Sequence, residues 1–189
     1  MGIIDSISRI FSSNKEKRAS SYVNPNWYFA NAGSDAIVNN TTAMGFTPVF
    51  NAVKLLSESV SQIPVEICET LPDGDVIKRT NHPLTRILTL NPNPNQTKVS
   101  FFSKIMVDLC LDGNSYVYIE RNGSGIPMNL YCLNADDVTM TKNGMDIFYT
   151  VGDDKKMYSS NEILHFRTLS TDGYLGISPI QQCKNATGS

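Results

Sequence analysis

The chain has 189 residues, of which 41% are hydrophobic and 18% are charged. This length and composition support one ordinary domain with a real core and exclude a globally disordered protein. The formal net charge of −2 excludes a basic duplex-DNA binder, whose affinity comes from Lys and Arg side chains that neutralise phosphates.

The first 46 residues form a predicted arm and linker. Apolar residues near the N-terminus recur at helical spacing, at Ile3, Ile4, Ile7, Ile10 and Phe11. They predict a short amphipathic helix that docks on a partner or a neighbouring subunit; a membrane-surface anchor and lipidation of Gly2 are the alternatives. Residues 12–46 are rich in Ser, Asn, Ala and Gly, and Trp27-Tyr28-Phe29 is their one aromatic cluster. We expect this linker to lie over another surface.

A first long helix is predicted from Thr47-Pro48 to Ile63. Thr47 has the character of a cap, Pro48 suits the first helical position, and Pro64 ends the helix. The predicted buried face consists of Val49, Phe50, Val53, Leu56, Val60 and Ile63.

A hairpin and a short helix are predicted next. Residues 65–70 and 76–77 read as strands around a Pro72-Asp73-Gly74 turn, and His82-Pro83 opens a helix that continues to Leu90. The Asn-Pro-rich segment 91–95 fits neither a helix nor a central strand.

A second long helix is predicted over Thr97–Leu111, ended by Gly113 as a left-handed cap. Its predicted apolar face consists of Val99, Phe102, Ile105, Met106, Leu109 and Cys110, and Lys98, Lys104 and Asp108 are placed elsewhere.

After Gly113 the hydrophobic period changes from helical to two, which indicates strands. Five short strands are predicted, over residues 115–120, 128–133, 138–141, 146–151 and 162–167. Turn chemistry separates them, at Asn122-Gly123, Gly125-Ile126-Pro127, Asn143-Gly144 and Gly152-Asp153. The predicted fold class is therefore α+β: two main amphipathic helices, then a meandering antiparallel sheet.

The C-terminal segment has a Gly-rich hinge over Asp172–Gly176, and Ser178-Pro179 begins a helix that receives only a few residues. We interpret this as a chain cut short. The predicted domains are 1–46 (arm and linker), 47–175 (α+β domain) and 176–189 (start of a helical region).

The chain shows no motif for a reacting group. It has no P-loop and no Gly-x-Ser-x-Gly elbow, and Gly123-Ser124-Gly125 sits in a hairpin turn rather than at a strand-to-helix step. Both histidines, His82 and His165, have structural interpretations. The pairs Asp136-Asp137 and Asp153-Asp154 are interpreted as solvated turn acids rather than a cation site.

The four cysteines show no zinc spacing. Cys68, Cys110 and Cys132 lie in apolar runs and predict buried free thiols in a reducing compartment. No run of apolar residues is long enough for a membrane span. We therefore predict no catalytic, cofactor-binding or metal-binding residue, no cofactor and no enzymatic activity.

The order of the pieces from residue 47 to 182 resembles the portal proteins of long-tailed double-stranded DNA phages. The matching pieces are Val60–Ile67, His82–Leu84, Asn91–Asn93, Leu111–Ile119, Ile126-Pro127, Glu162–Arg167 and Gly173–Ile180. The resemblance implies a ring, usually of twelve subunits, at one capsid vertex. Residues 47–175 are similar to the family's wing region, and residues 176–180 to the beginning of the stem-side helices, after which family members continue for roughly as long again.

The resemblance also implies the partners. These are copies of the chain or full-length portal subunits, the capsid protein and the terminase motor, with DNA passing through the ring without sequence-specific binding and with no membrane. The implied location is the virion, after assembly in the bacterial cytoplasm. Three alternatives remain open: a truncated product that interferes with rings of full-length portal, a nucleic-acid enzyme using Asp136 and Asp137, and a peripheral membrane protein using residues 3–11.

Overall fold

The computed structural model describes residues 40–152 and 155–182. The helices in this part of the chain are α1 (Asn40–Met44), α2 (Thr47–Ser61), α3 (Pro83–Thr89) and α4 (Lys98–Leu111), with a last helical turn over residues 179–182. The strands are β1 (Cys68–Thr70), β2 (Val76–Lys78), β3 (Asn114–Arg121), β4 (Pro127–Cys132), β5 (Val138–Asn143), β6 (Asp146–Val151), β7 (Lys156–Ser159) and β8 (Ile163–Arg167). The α+β class is confirmed. The sequence pattern did not predict the helix α1, which lies in the predicted linker, or the strand β7.

The helix starts follow local capping chemistry. Thr97 caps α4 by accepting the Ser100 N–H at 3.3 Å, and His82 caps α3 by accepting the Leu84 N–H through Nδ1 at 3.2 Å. The prediction that Thr47 caps α2 is wrong. The Phe50 N–H donates to the Phe46 carbonyl at 3.0 Å, so Phe46 is the N-cap and Thr47 is already the first helical residue.

Helices α2 and α4 pack against each other in opposite directions. Lys98 Nζ, at the start of α4, donates to the Ile63 carbonyl just after α2, at 2.6 Å. Asn40, shortly before α2, donates to the carboxylate of Asp112 just after α4. The end of each helix therefore lies beside the start of the other.

The buried side of α2 differs from the predicted one. The buried residues of α2 are Val53, Ser57 and Ser61, whereas Phe50, Leu56, Val60 and Ile63 are exposed. This corrects the predicted face. The buried line recurs every four residues, and two of its three members are small, which lets two helices approach closely. The bulkier aliphatic stripe lies beside that line.

The central sheet has the order β4-β3-β8, and a second three-stranded sheet has the order β5-β6-β7; all pairs are antiparallel. Val117 and Ile119 of β3 join the helices in one core, which comprises Ile87, Phe101, Ile105, Val117, Ile119 and Leu130. Tyr116, on the other face of β3, joins Tyr149 and Ile163 in the core against the second sheet. The domain therefore has three layers with β3 in the middle one, and the predicted meander closes into two sheets because β8 returns to pair with β3.

Asp108 is buried, which corrects its predicted place outside the packed face of α4. Only 4% of its surface is exposed. Its carboxylate accepts bonds from Lys104 and from the buried Ser115 hydroxyl, at 2.5 and 3.2 Å. Burial raises the pKa of this carboxyl, although the Lys104 ammonium opposes the rise.

The cysteines and the helix lengths also bear on the sequence predictions. Cys110 and Cys132 are half-buried free thiols, but Cys68 is exposed; its prediction is wrong because β1 lies in a separate two-stranded hairpin. Among the described helices, none has the length and apolar character that a membrane crossing requires.

Candidate functional site

The polar residues considered for chemistry lie apart from one another. His82 caps α3, and Asp136 and Asp137 are exposed in a 3₁₀ turn. Within residues 40–152 and 155–182, no three His, Cys, Asp or Glu side chains group closely enough to hold a metal ion. Asp153-Asp154, Cys183 and the predicted arm and linker up to residue 39 lie outside the described residues.

His165 lies between the two sheets in a shell of neutral partners. Its ring stacks on Tyr116, with 4.4 Å between centroids. Nε2 is 3.0 Å from Asn114 Oδ1, which can only accept, so Nε2 carries the proton and Nδ1 accepts from the Tyr149 hydroxyl at 3.3 Å. Burial, aided by the charge of Arg167, lowers the pKa of His165 to about 4. His165 is therefore held in the fold as a neutral imidazole.

Asn114 ties the turn after α4 to the C-terminal segment. Its Oδ1 accepts the Gly176 N–H at 2.7 Å, and its Nδ2 donates to the Gly176 carbonyl at 2.9 Å. Thr168 adds bonds from its N–H to the Gly113 carbonyl and from its hydroxyl to the Ile177 carbonyl, at 2.9 and 3.0 Å. We call Gly113, Asn114, Thr168 and residues 176–178 the clasp.

Two glycines allow the backbones in the clasp to touch. Gly113 has φ +74°, and a Cβ there would lie 2.4 Å from the Ile177 carbonyl oxygen. A Cβ on Gly176 would lie 2.0 Å from the Gly113 carbonyl oxygen. Neither position has room for a side chain, because the obstructing atoms are backbone atoms.

The clasp sets the start of the last described helix, residues 179–182. The Ser178 hydroxyl donates to the Leu111 carbonyl at 2.6 Å and accepts the Gln181 N–H at 3.2 Å. The predicted helix start at Ser178-Pro179 is confirmed. The same side chain that caps this helix also binds it to the end of α4.

Exposed aliphatic side chains gather on one side of α2. Leu56, Val60 and Ile63 are 47%, 37% and 57% exposed. Leu56 and Val60 are four residues apart and share one side of the helix, and Ile63 follows just after its end. Lys98 Nζ lies beside them, at the Ile63 carbonyl. Exposed aliphatic side chains suit contact with another macromolecule better than binding of a small molecule.

Sequence reasoning missed the clasp as a unit. It singled out Gly113-Asn114 and Gly176 as separate pieces of a pattern, but 62 residues separate Asn114 from Gly176. The glycines were the available signal, since Gly-containing segments often mark a close approach of two backbones.

Comparisons with known proteins agree with this architecture. The family model for the phage portal protein matches residues 47–189. The portal protein of Enterobacteria phage HK97 is 28% identical over 157 residues, which cover 80% of this chain and 37% of that protein.

Two solved structures share the fold. One is the neck of an empty gene transfer agent (GTA) particle, computed with six-fold symmetry, with TM-score 0.63 and 27% identity over 78% of this chain and 42% of that chain. The other is the neck of a native GTA particle, computed with twelve-fold symmetry, with TM-score 0.59 and 25% identity over 78% of this chain and 41% of that chain. The chain thus spans less than half the length of these relatives. Because the family match covers most of its residues, the chain belongs to the phage portal protein family.

Proposed function

We propose that this chain is a structural subunit of a portal ring, the head–tail connector through which DNA enters the capsid. The observation that carries the proposal is the shared fold, over 78% of the chain, with the neck of a GTA particle. The family match over residues 47–189 supports the same role. The subunit works by shape and contact, since its buried histidine and carboxylate serve the fold.

The charge of the chain suits a conduit. A ring of twelve copies would carry a formal charge of −24, twelve times −2. DNA must slide through such a ring, and each Lys or Arg contact to a phosphate would add salt-sensitive affinity that opposes sliding. A weakly negative ring repels the duplex and leaves it free to move.

The domain assignments belong to this proposal. Residues 47–175 would form the wing, residues 1–46 an arm that contacts a neighbouring subunit, and residues 176–189 the beginning of the stem side. The clasp supports this division, because it fixes the helix that starts at Pro179 to the end of α4. Capsid protein and terminase would be partners in the virion, after assembly in the host cytoplasm.

Electron microscopy tests ring formation. The purified chain is expected to give closed rings with rotational symmetry in negative stain, with twelve copies counted by native mass spectrometry. A chain that stays monomeric at every concentration tested would contradict ring assembly by this chain.

Gene deletion tests the role in the particle. In the phage or prophage that encodes the chain, removal of its reading frame is expected to yield heads without packaged DNA, and supply of the chain in trans should restore packaging. Normal DNA-filled particles after deletion would argue against the proposal. Interference with full-length portal rings stays a prediction, because the same surfaces would serve either role.

A further inference from the structure

Residues 169–177, which we call the strap, form a closed loop on the surface of the domain. The Ile177 N–H donates to the Leu169 carbonyl at 2.9 Å, so the two ends of the strap meet. Between these ends, the carboxylate of Asp172 accepts two backbone N–H groups of the strap, at 2.8 and 2.9 Å. The strap is therefore folded by its own hydrogen bonds, which is typical of a compact surface loop whose ends are close together.

Polar contacts attach the strap to the two sheets. Gly176 is bonded to Asn114 of β3 through both its N–H and its carbonyl. Lys142 of β5 holds the tip of the strap: its ammonium lies 4.1 Å from the centre of the Tyr174 ring and donates to the Tyr174 hydroxyl at 2.9 Å. The strap therefore joins the C-terminal segment to the second sheet as well as to the central one.

The strap buries little apolar surface. Neither of the two hydrophobic cores in the described part of the chain includes a strap residue. Leu169 and Leu175 are 79% and 40% exposed, and Gly176 has no side chain to bury. Segments with few buried apolar contacts open locally at a lower free energy than global unfolding. We therefore expect the strap to open while the rest of the domain stays folded.

We propose that the strap is a latch between the domain and the helix that begins at Pro179. It opens and closes as one unit while both hydrophobic cores stay intact, and the contact between Lys142 and Tyr174 keeps it closed for most of the time. Opening separates Gly176 from Asn114 and gives that helix a freedom of orientation that the clasp otherwise removes. The latch does not depend on ring formation; in the ring proposed above, it would let the stem side change its angle to the wing.

Hydrogen exchange of the full 189-residue chain tests the latch. The N–H groups of Gly176 and Ile177 are the reporter amides, because the first bonds to β3 and the second to the start of the strap. The core amide for comparison is that of Ile119, which is buried in β3 and donates to the Glu162 carbonyl at 2.9 Å. Both reporter amides are expected to exchange at least about tenfold faster than the core amide, because they need only local opening. Reporter amides that exchange as slowly as the core amide would show that the strap opens only when the domain unfolds, and would overturn the proposal.

Two lysine variants test what keeps the latch closed. Lys142→Met removes the ammonium at the tip of the strap and is expected to raise the exchange rates of both reporter amides together by about two- to fivefold, the effect of one exposed cation–aromatic contact. The core amide should not change. Lys156→Met is the matched control, because the Lys156 ammonium lies 4.9 Å from the centre of the Tyr158 ring in the same sheet instead of over a strap residue; it should leave both reporter amides unchanged.

Three results would overturn the latch: no rise in Lys142→Met, a rise at only one reporter amide, or an equal rise in both variants. The first and third would show that the contact between Lys142 and Tyr174 does not hold the strap, and the second that the strap does not open as one unit. A monomeric chain would contradict the ring and still allow the expected exchange, so the two proposals fail separately.

Discussion

His165 shows how one side chain can connect the two sheets with the C-terminal segment. It stacks on Tyr116 and bonds both Tyr149 and Asn114, and Asn114 in turn holds Gly176. Every one of these partners is neutral, so the site favours a neutral imidazole. Protonation of His165 would therefore weaken the domain at the point where its layers and its tail meet.

The pH dependence of stability follows from this environment. The pKa of His165 is about 4 when folded, against a reference value of 6.5, so the unfolded chain takes up this proton first as the pH falls. The contribution is fully present above pH 6.5 and is lost between pH 6.5 and 4, by at most about 3 kcal/mol. His165→Phe should lose about 1–2 kcal/mol at pH 7, through its two missing hydrogen bonds, and should remove this part of the acid sensitivity. Urea unfolding at pH 7 and pH 4.5 measures both effects.

His82→Asn is the control, because Asn is also a good N-cap residue and the variant leaves His165 in place. It should keep the acid sensitivity of the unchanged chain. If His165→Phe shows the same loss of stability between pH 7 and pH 4.5 as this control, the assignment of that loss to His165 is wrong.

Gly113 gives a second test at the scale of one residue. Gly113→Ala forces a side chain into a left-handed backbone conformation, which costs about 1–2 kcal/mol, and against the Ile177 carbonyl oxygen. The expected loss is about 2 kcal/mol or more in the free energy of unfolding. Gly123→Ala is matched to it, because no atom lies within 4 Å of a Cβ there and its φ is not positive; that change should cost nothing beyond about 0.5 kcal/mol. Equal stability of the two variants in thermal melts would show that the clasp tolerates a side chain.

At the scale of elements, α2 separates what sequence can predict from what it cannot. Helical spacing and Pro48 placed the start of the helix correctly, and its end lies at Ser61, two residues before the predicted Ile63. Periodicity assumes that the most apolar side faces the core, but in α2 the side with Ser57 and Ser61 faces α4 and the aliphatic side remains exposed. A helix side can be apolar because it packs in the core or because it contacts another protein surface, and hydropathy does not distinguish these two cases. Asp108 in α4 was misplaced for a related reason, since its partner Ser115 lies on the following strand.

The buried serines of α2 therefore predict a size limit at the α2–α4 contact. Ser57→Leu adds bulk at a position that is 4% exposed and should cost about 1–3 kcal/mol through overpacking. Ser59→Leu introduces the same residue two positions away on the exposed side and should change stability by no more than about 0.5 kcal/mol. Thermal melts of the two variants compare the sites directly. If Ser57→Leu is as stable as Ser59→Leu, the helices are not in close contact at Ser57.

At the scale of the whole molecule, local patterns predicted the parts better than their assembly. Turn residues located the hairpins, and Gly113, Gly125, Gly144 and Gly152 all have positive φ as their turns require. The pairing of β8 with β3, and of Asn114 with Gly176, joins residues about 50 or 60 positions apart. Only the folded layers bring such residues together, so no short pattern in one sequence indicates them.

The overall charge predicts how the chain behaves toward DNA. In fluorescence anisotropy at physiological salt, we expect affinity for a duplex weaker than about 100 μM, the weak limit of ordinary non-specific binding. Changing the exposed Asp136 and Asp137 to Lys moves the net charge from −2 to +2, since each change adds two, and should strengthen binding in a salt-dependent way. A dissociation constant below about 1 μM for the unchanged chain, with a steep salt slope, would contradict a passive conduit.

The clasp also has a practical consequence for measuring rotation. Gly176 is bonded directly to the first residue of β3, and Ser178 to the last residue of α4. A rigid helical label continued from residue 182 would therefore share the orientation of the domain core instead of moving independently of it. The polarised emission of a dye in such a label would then follow the turning of the whole subunit.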